Sequence, residues 1–557
     1  MSDAVVGMAR QRAAAGDLAG AARLLADEVK RRPRHAGLRR EAARLSEAAG
    51  LIAQAGDALK AAVELEPGEL DHVRALSEFL GRQGRFDEAV TACRKALSRL
   101  PQRPEAYIHL ADALLAARQA EEAVDVTRRL LEIAPDRHGS REWLAMVLER
   151  IGRVDEAEAE AKRVLASVPG QPGATLTLAK LAKRRGDLPG ARTLLEAIDA
   201  LPNTPDALAG DALVDLGGVL ERQGEYDRAF EAYRRAQARL YAALPESDRD
   251  PRPYLSAITT ARSFALAGGA AGVSGVSGGS VVSGGFAGWK QPPPDKLKDP
   301  VFIVGFPRSG TTLLEQVFAA HPGLVTTDES PILQSTRKAL NDRFKFAKPY
   351  PDVLHAMTGF QVSAGRQMYF DLARRAVGPE LDNKRLVDKQ PLNTVDLPLV
   401  RRLFPRAKVV YMVRDPRDTV LSCFTQSFAR GMPHFFDLEA TARLYATLDD
   451  LWAVYRETLG LDSLELRYED LVDSFAEVSR RVIGFVGETW DPGVERFHER
   501  AGRRFIVTPT YQDVSRPVYK TAMGRWTRFE GHLRPVLDML EVCCVRWGYP
   551  AQARDGQ

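Results

Sequence analysis

A period of 34 residues runs through the first 245 positions of the chain. Ala21, Ala55, Ala89, Ala123, Ala157 and Ala191 are each 34 apart, and Ala229 follows after 38. Twelve residues before each of these stands another small residue: Ala9, Ala43, Ser77, Ala111, Ala145, Ala179 and Gly217. Pro33, Pro67, Pro101, Pro135 and Pro169 keep the same step. Gly16, Gly50, Gly84, Gly152, Gly186 and Gly224 share one phase, with Arg118 as the exception. Two fixed phases of small residues predict two helices that cross closely. Glycine then ends the first helix and proline stops the second. One such pair cannot bury its apolar face alone, so the units stack on one another. The four-residue slip before Ala229 is expected in an enlarged loop at residues 201–210, where Pro202 and Pro205 stand.

This pattern resembles a tetratricopeptide repeat (TPR) array of about seven units over residues 1–245. The resemblance implies an all-α solenoid whose concave face holds a protein, either an acceptor or a separate partner. A scaffolding or dimerisation role stays open beside it. Residues 246–299 read as a connector helix followed by a Gly/Ser/Pro-rich linker ending in Pro292-Pro293-Pro294. A net charge of +4 over 557 residues gives no global signal for nucleic acid or membrane. The four cysteines are in no metal-ligand spacing, which fits reduced thiols and an expected cytoplasmic location.

The second domain is expected at residues 300–550, where short apolar runs alternate with helical patterns, an α/β arrangement. Its first run, Val301-Phe302-Ile303-Val304, ends at Gly305 and leads through Phe306-Pro307-Arg308-Ser309-Gly310 into Thr311-Thr312. A strand, a glycine-bounded loop and a helix start turn backbone N–H groups onto a phosphate. The spacing is that of a P-loop, with Thr311 where such loops carry lysine. In NTPases that lysine steadies the β/γ-phosphates beside Mg²⁺, so its absence argues against ordinary ATP or GTP hydrolysis. A second strand, residues 408–413, runs into Arg414, and Ser422 lies eight residues on in a helical pattern. Arginine with a hydroxyl at the carboxyl end of a strand is a clamp for a second phosphate.

With both segments together, residues 300–549 resemble sulfotransferases that use 3′-phosphoadenosine 5′-phosphosulfate (PAPS), and most of all the protein-tyrosine sulfotransferases. The resemblance implies a P-loop-like α/β domain on a central parallel sheet. It implies that Pro307, Arg308, Ser309, Gly310, Thr311 and Thr312 hold the 5′-phosphosulfate, and that Arg414 and Ser422 hold the 3′-phosphate. It makes Glu329, in Asp328-Glu329-Ser330, the base, with Asp328 replacing the family's first glutamate. It puts Lys389, before Gln390-Pro391, on the leaving oxygen, and gives Tyr468 a nucleotide contact. Thr510 and Arg525 fall where the tyrosine enzymes place a hydroxyl near the nucleotide and a lysine on the 3′-phosphate. No metal is expected, since sulfuryl transfer needs no metal-bound γ-phosphate.

Three alternatives stay open: a P-loop kinase or NTPase, a non-catalytic nucleotide-binding interaction protein, and an acceptor other than protein tyrosine, such as a polysaccharide, lipid or small molecule.

Overall fold

Helices of 13 or 14 residues fill the first part of the chain, from Ser2–Ala14 and Leu18–Arg31 through to Pro172–Arg185. The computed structural model describes residues 2–270, 286–289, 298–428, 432–497, 520 and 522–550, and its contacts form two compact units, Met1–Arg185 and Gly186–Gln557. In the first unit the repeating alanines lie in the core, with Ala9, Ala21, Ala55, Ala123 and Ala157 fully buried. Phe79, Leu76, Leu110 and Leu114 fill the space between them. The repeating prolines lie in the connections between one helix pair and the next. The turn within each pair needs a left-handed residue: φ is 89° at Gly16, 75° at Gly50 and 70° at Gly84. Arg118 takes φ 63° at the same phase, so the turn dictates the conformation even where glycine is missing.

The second unit starts with helix Leu188–Asp199 and the pair Asp206–Arg222 and Tyr226–Ala242. The four-residue slip is taken up mainly by helix, since Asp206–Arg222 has 17 residues. Pro205 precedes that helix at its N-cap, where its fixed φ and missing N–H cost nothing. Gly217 is obligatory in this pair, because a Cβ there would meet Tyr233 Cε1 at 2.5 Å. The connector is a helix, Arg252–Ala270. Among the described residues no helix is long and apolar enough to cross a membrane.

The rest of the unit is built on five parallel strands: β1 (Val301–Gly305), β2 (Leu324–Thr326), β3 (Arg385–Lys389), β4 (Lys408–Val413) and β5 (Asp462–Arg467). Their order is β2-β3-β1-β4-β5. Phe302 pairs with Asp388 on one side and Val409 on the other, which puts β1 at the centre. Every residue of β1 is buried, as an uninterrupted apolar run requires when helices cover both faces. One face packs Val301, Ile303, Leu314, Phe318, Val387 and Val410 together. From β1 the chain goes to the β3 side of the sheet and later returns to the β4 side. That reversal opens a crevice at the carboxyl ends of the strands.

The pair Asp206–Arg222 and Tyr226–Ala242 is anchored on this α/β body. Gln237 Nε2 donates to the carbonyls of Phe424 at 2.6 Å and Gln426 at 3.0 Å. The Phe230 ring stacks on His532 at 4.3 Å between centroids.

Candidate active site

Each strand delivers a candidate residue at its carboxyl end. The loop 306–310 follows β1, Glu329 lies three residues after β2, Lys389 ends β3, Arg414 follows β4 and Tyr468 follows β5. Because the strands are parallel, all five lie along one edge of the sheet.

The loop after β1 is tightly wound. Arg308 has φ 69°, and Gly310, at φ 98°, caps the helix Thr311–Ala319. A Cβ on Gly305 would meet the Met412 carbonyl oxygen at 2.4 Å, and one on Gly310 would meet Tyr468 Cδ2 at 2.5 Å. Tyr468 therefore packs under the loop, with the Arg414 guanidinium 5.2 Å from its ring centre. Ser309 is 1% exposed, and its hydroxyl has no hydrogen-bond partner among the described residues. A buried hydroxyl without a partner is costly unless a ligand supplies one. A glycine-capped helix start, that hydroxyl and close backbone approach together fit a phosphate-like group.

The two clamps expected on either side of the ligand are joined. Arg308 Nε donates to Ser422 Oγ at 3.1 Å, and Arg414 Nη1 donates to the Arg308 carbonyl at 3.3 Å. Arg414 Nη2 donates to the Ala522 carbonyl, while its buried Nε has no partner among the described residues. Ser422 sits in helix Pro416–Phe424, begun by Asp415, which takes a bidentate bond from Arg417. Asp418 of the same helix accepts the backbone N–H groups of Gly524 and Trp526, both at 2.7 Å. Arg417 lies 3.9 Å from the Trp526 ring centre.

Arg525, between those two residues, faces the helix pair instead. Its Nε and Nη2 donate to Glu221 at 2.6 Å each, and its Nη1 donates to Thr425 Oγ1 at 3.0 Å. Tyr233 Oη donates to the same Glu221 carboxylate at 3.0 Å. Thr510 lies outside the described residues.

Glu329 and Lys389 meet directly, with Lys389 Nζ 2.7 Å from Glu329 Oε1. A second carboxylate, Glu315, stands 3.0 Å from the same ammonium. Lys389 and Glu315 are buried, whereas the Glu329 side chain is 37% exposed. Burial works against the Lys389 charge, but Glu315 and Glu329 outweigh it and hold its pKa above the ordinary lysine range. Burial also pushes the Glu315 carboxyl upward, with Lys389 pulling the other way. Asp328 and Glu329 both have left-handed backbones, at φ 48° and 61°. Their turn is pinned by bonds from the Glu329 N–H to the Lys389 carbonyl at 3.0 Å and from the Asp328 N–H to Glu315 Oε1 at 2.8 Å.

Glu315 is absent from the residues read in the sequence. One signal was present: it is the only charged residue in the helix TTLLEQVFA. Among the described residues no group of three or more His, Cys, Asp or Glu is arranged to hold a metal ion.

Residues 300–492 match the Sulfotransferase family. This region is a sulfotransferase domain. Residues 82–147 and 176–245 match tetratricopeptide repeat families, so the chain joins such repeats to the sulfotransferase domain. A protein-tyrosine sulfotransferase of Drosophila melanogaster is 28% identical over 242 residues, covering 41% of this chain and 46% of its own length. An uncharacterized protein of Aquifex aeolicus (strain VF5) is 26% identical over 355 residues, covering 62% of this chain and 43% of its own. The chain thus spans about half the length of the curated relatives it matches. The sulfotransferase domain of the Synechococcus PCC 7002 olefin synthase superposes with a TM-score of 0.31 at 21% identity, covering 43% of this chain and 91% of that one.

Proposed function

We propose that the protein transfers a sulfuryl group from PAPS to an acceptor hydroxyl, with protein tyrosine as the leading acceptor. The observation that carries this reading is the Glu329–Lys389 contact of 2.7 Å on the sheet edge that also holds a lysine-free phosphate loop. When bound, the donor supplies the sulfuryl group and departs as 3′-phosphoadenosine 5′-phosphate. In the loop from Pro307 to Thr312, Arg308, Gly310, Thr311 and Thr312 offer backbone N–H groups to the 5′ end, and Ser309 offers its hydroxyl, which has no partner among the described residues. Arg414 and Ser422 form the cationic and hydroxyl clamp for the 3′-phosphate, and Arg308 of the 5′ loop bonds Ser422. Tyr468 supports the loop from below, and Thr510 is assigned to the nucleotide side, while Arg525 is held by Glu221 and Thr425. Glu329, the exposed member of its pair, takes the proton from the acceptor hydroxyl. A phenol with a pKa of about 10 needs that help near neutral pH. Of the N–H donors on the Lys389 ammonium, one bonds Glu329 at 2.7 Å, while the Glu315 carboxylate pairs with its charge. A further donor is available to charge developing on the leaving oxygen. The tetratricopeptide repeats hold the acceptor protein or a partner that brings it.

The test is transfer of labelled sulfate from PAPS to a lysate of the source cell, with Glu329→Ala alongside. Label recovered as tyrosine sulfate after alkaline hydrolysis is the expected result, reduced about 10²–10⁴-fold in the variant. Label in carbohydrate instead would reassign the acceptor. Failure to bind 3′-phosphoadenosine 5′-phosphate, with turnover of Mg²⁺-ATP, would overturn the reading.

A further inference from the structure

We propose that Glu315 is a positioning residue of this site, anchoring the Lys389 ammonium and fixing the left-handed turn that carries Glu329. The inference rests on the sulfotransferase reading for its catalytic half, while its structural half stands without it.

Glu315 belongs to the helix that starts at the phosphate loop, and it is 1% exposed. A carboxylate is retained in such a place only if it is paired. Oε1 accepts the Asp328 N–H at 2.8 Å, and Oε2, which has no hydrogen-bond partner among the described residues, lies 3.0 Å from Lys389 Nζ as an ion pair. One side chain therefore ties the loop's helix to the proposed leaving-group lysine and to the turn of the proposed base. That turn needs such a tie, because two successive residues bearing a Cβ, at φ 48° and 61°, sit where L-residues are disfavoured.

A second carboxylate also resolves a charge problem. On taking the acceptor's proton, Glu329 becomes neutral and ceases to be a counter-ion. Lys389, 0% exposed, would then be a buried cation with no partner, a costly state. Glu315 remains as its counter-ion through that step. The base can thus change charge, and its 37% exposed side chain can turn to an acceptor, without stranding the lysine.

The test compares the full-length protein with Glu315→Gln and Glu315→Ala. Glutamine can keep the Asp328 bond through its amide oxygen but removes the charge facing Lys389. Alanine removes both contacts. In Glu315→Gln, kcat is expected to fall about 10–100-fold with donor KM changed by less than about threefold. The alkaline limb of kcat moves to lower pH, because burial of Lys389 is then opposed only by Glu329 and Asp328. Without any donor present, hydrogen exchange in a peptide covering residues 324–332 is expected to quicken in Glu315→Ala and to stay near wild type in Glu315→Gln. Wild-type kcat and alkaline limb in Glu315→Gln would overturn the anchoring of Lys389. Unchanged exchange in a folded Glu315→Ala would overturn the turn. Should Glu315→Ala not fold, the kinetics of Glu315→Gln decide the proposal alone. If the wild-type protein transfers no sulfuryl group, the functional reading falls, and the exchange experiment still decides what Glu315 holds in place.

Discussion

Replacing Gly310 by alanine tests the phosphate loop with one methyl group. The residue has φ 98°, and its new Cβ would lie 2.5 Å from Tyr468 Cδ2 and 3.3 Å from Met412 Cε. The left-handed backbone costs about 1–2 kcal/mol for a residue with a Cβ. Forcing a methyl into a filled site adds about 1–3 kcal/mol. A destabilisation of about 2–5 kcal/mol is therefore expected in the second unit. Five of the six tryptophans, all except Trp143, lie in residues 186–557, so urea unfolding followed by tryptophan fluorescence reports mainly on that unit. Adding Tyr468→Leu should return part of the loss by clearing the ring, but not the backbone share. Calorimetric titration with 3′-phosphoadenosine 5′-phosphate should show affinity down about tenfold or more, because the displaced loop turns its N–H groups away from the ligand. A single variant within about 0.5 kcal/mol of wild type, binding as tightly, would refute the reasoning.

Glu221→Gln deprives Arg525 of its counter-ion where the two side chains are 13% and 16% exposed, and should cost about 3–5 kcal/mol. A double-mutant cycle with Arg525→Gln should show the two losses to be far from additive, whereas additivity would mean the pair is uncoupled. Arg118→Gly relieves a φ of 63° and should stabilise the first unit by up to about 1 kcal/mol in thermal melts; a lower melting temperature would contradict this. Asp388, 0% exposed, has its carboxyl pushed by burial to about 7, against bonds from Tyr369 and Thr327. The folded form then keeps a proton that the unfolded chain releases above 3.8, so stability falls as pH rises from there towards about 7. Asp388→Asn should flatten that slope in melts taken across the window, and an unchanged slope would remove Asp388 as its source.

Much of the sheet edge was legible because buried parallel strands leave plain traces. β1 is a continuous apolar run and β4 is one after Lys408, and each leads into a candidate ligand segment. β2 has only three residues, Leu324–Thr326, too few to show a period, yet it places Glu329. Glu315 stayed hidden for a different reason. An isolated glutamate in a helix normally faces solvent, and only the folded chain shows it buried against Lys389 from a segment 74 positions away. The bond from Arg308 to Ser422 likewise spans 114 positions and leaves no local pattern. The repeat period was the most legible feature, but the slip was harder to place. Two prolines marked a loop, while the extra residues went largely into helix, where they extend the pairing with Tyr226–Ala242.

That last helix pair bears on how such a chain can be recombined. By period it is one more repeat, interchangeable with those before it. By contact it belongs to the transferase: Glu221 holds Arg525, Gln237 caps the end of the helix bearing Ser422, and Phe230 stacks on His532. A chimera that joins a foreign array at residue 245 would strip these contacts and leave Arg525 without its counter-ion. A junction near residue 186 would leave them whole. The array can therefore diversify by gain, loss or exchange of the repeats before its final pair, while that pair is constrained to change together with the domain it serves.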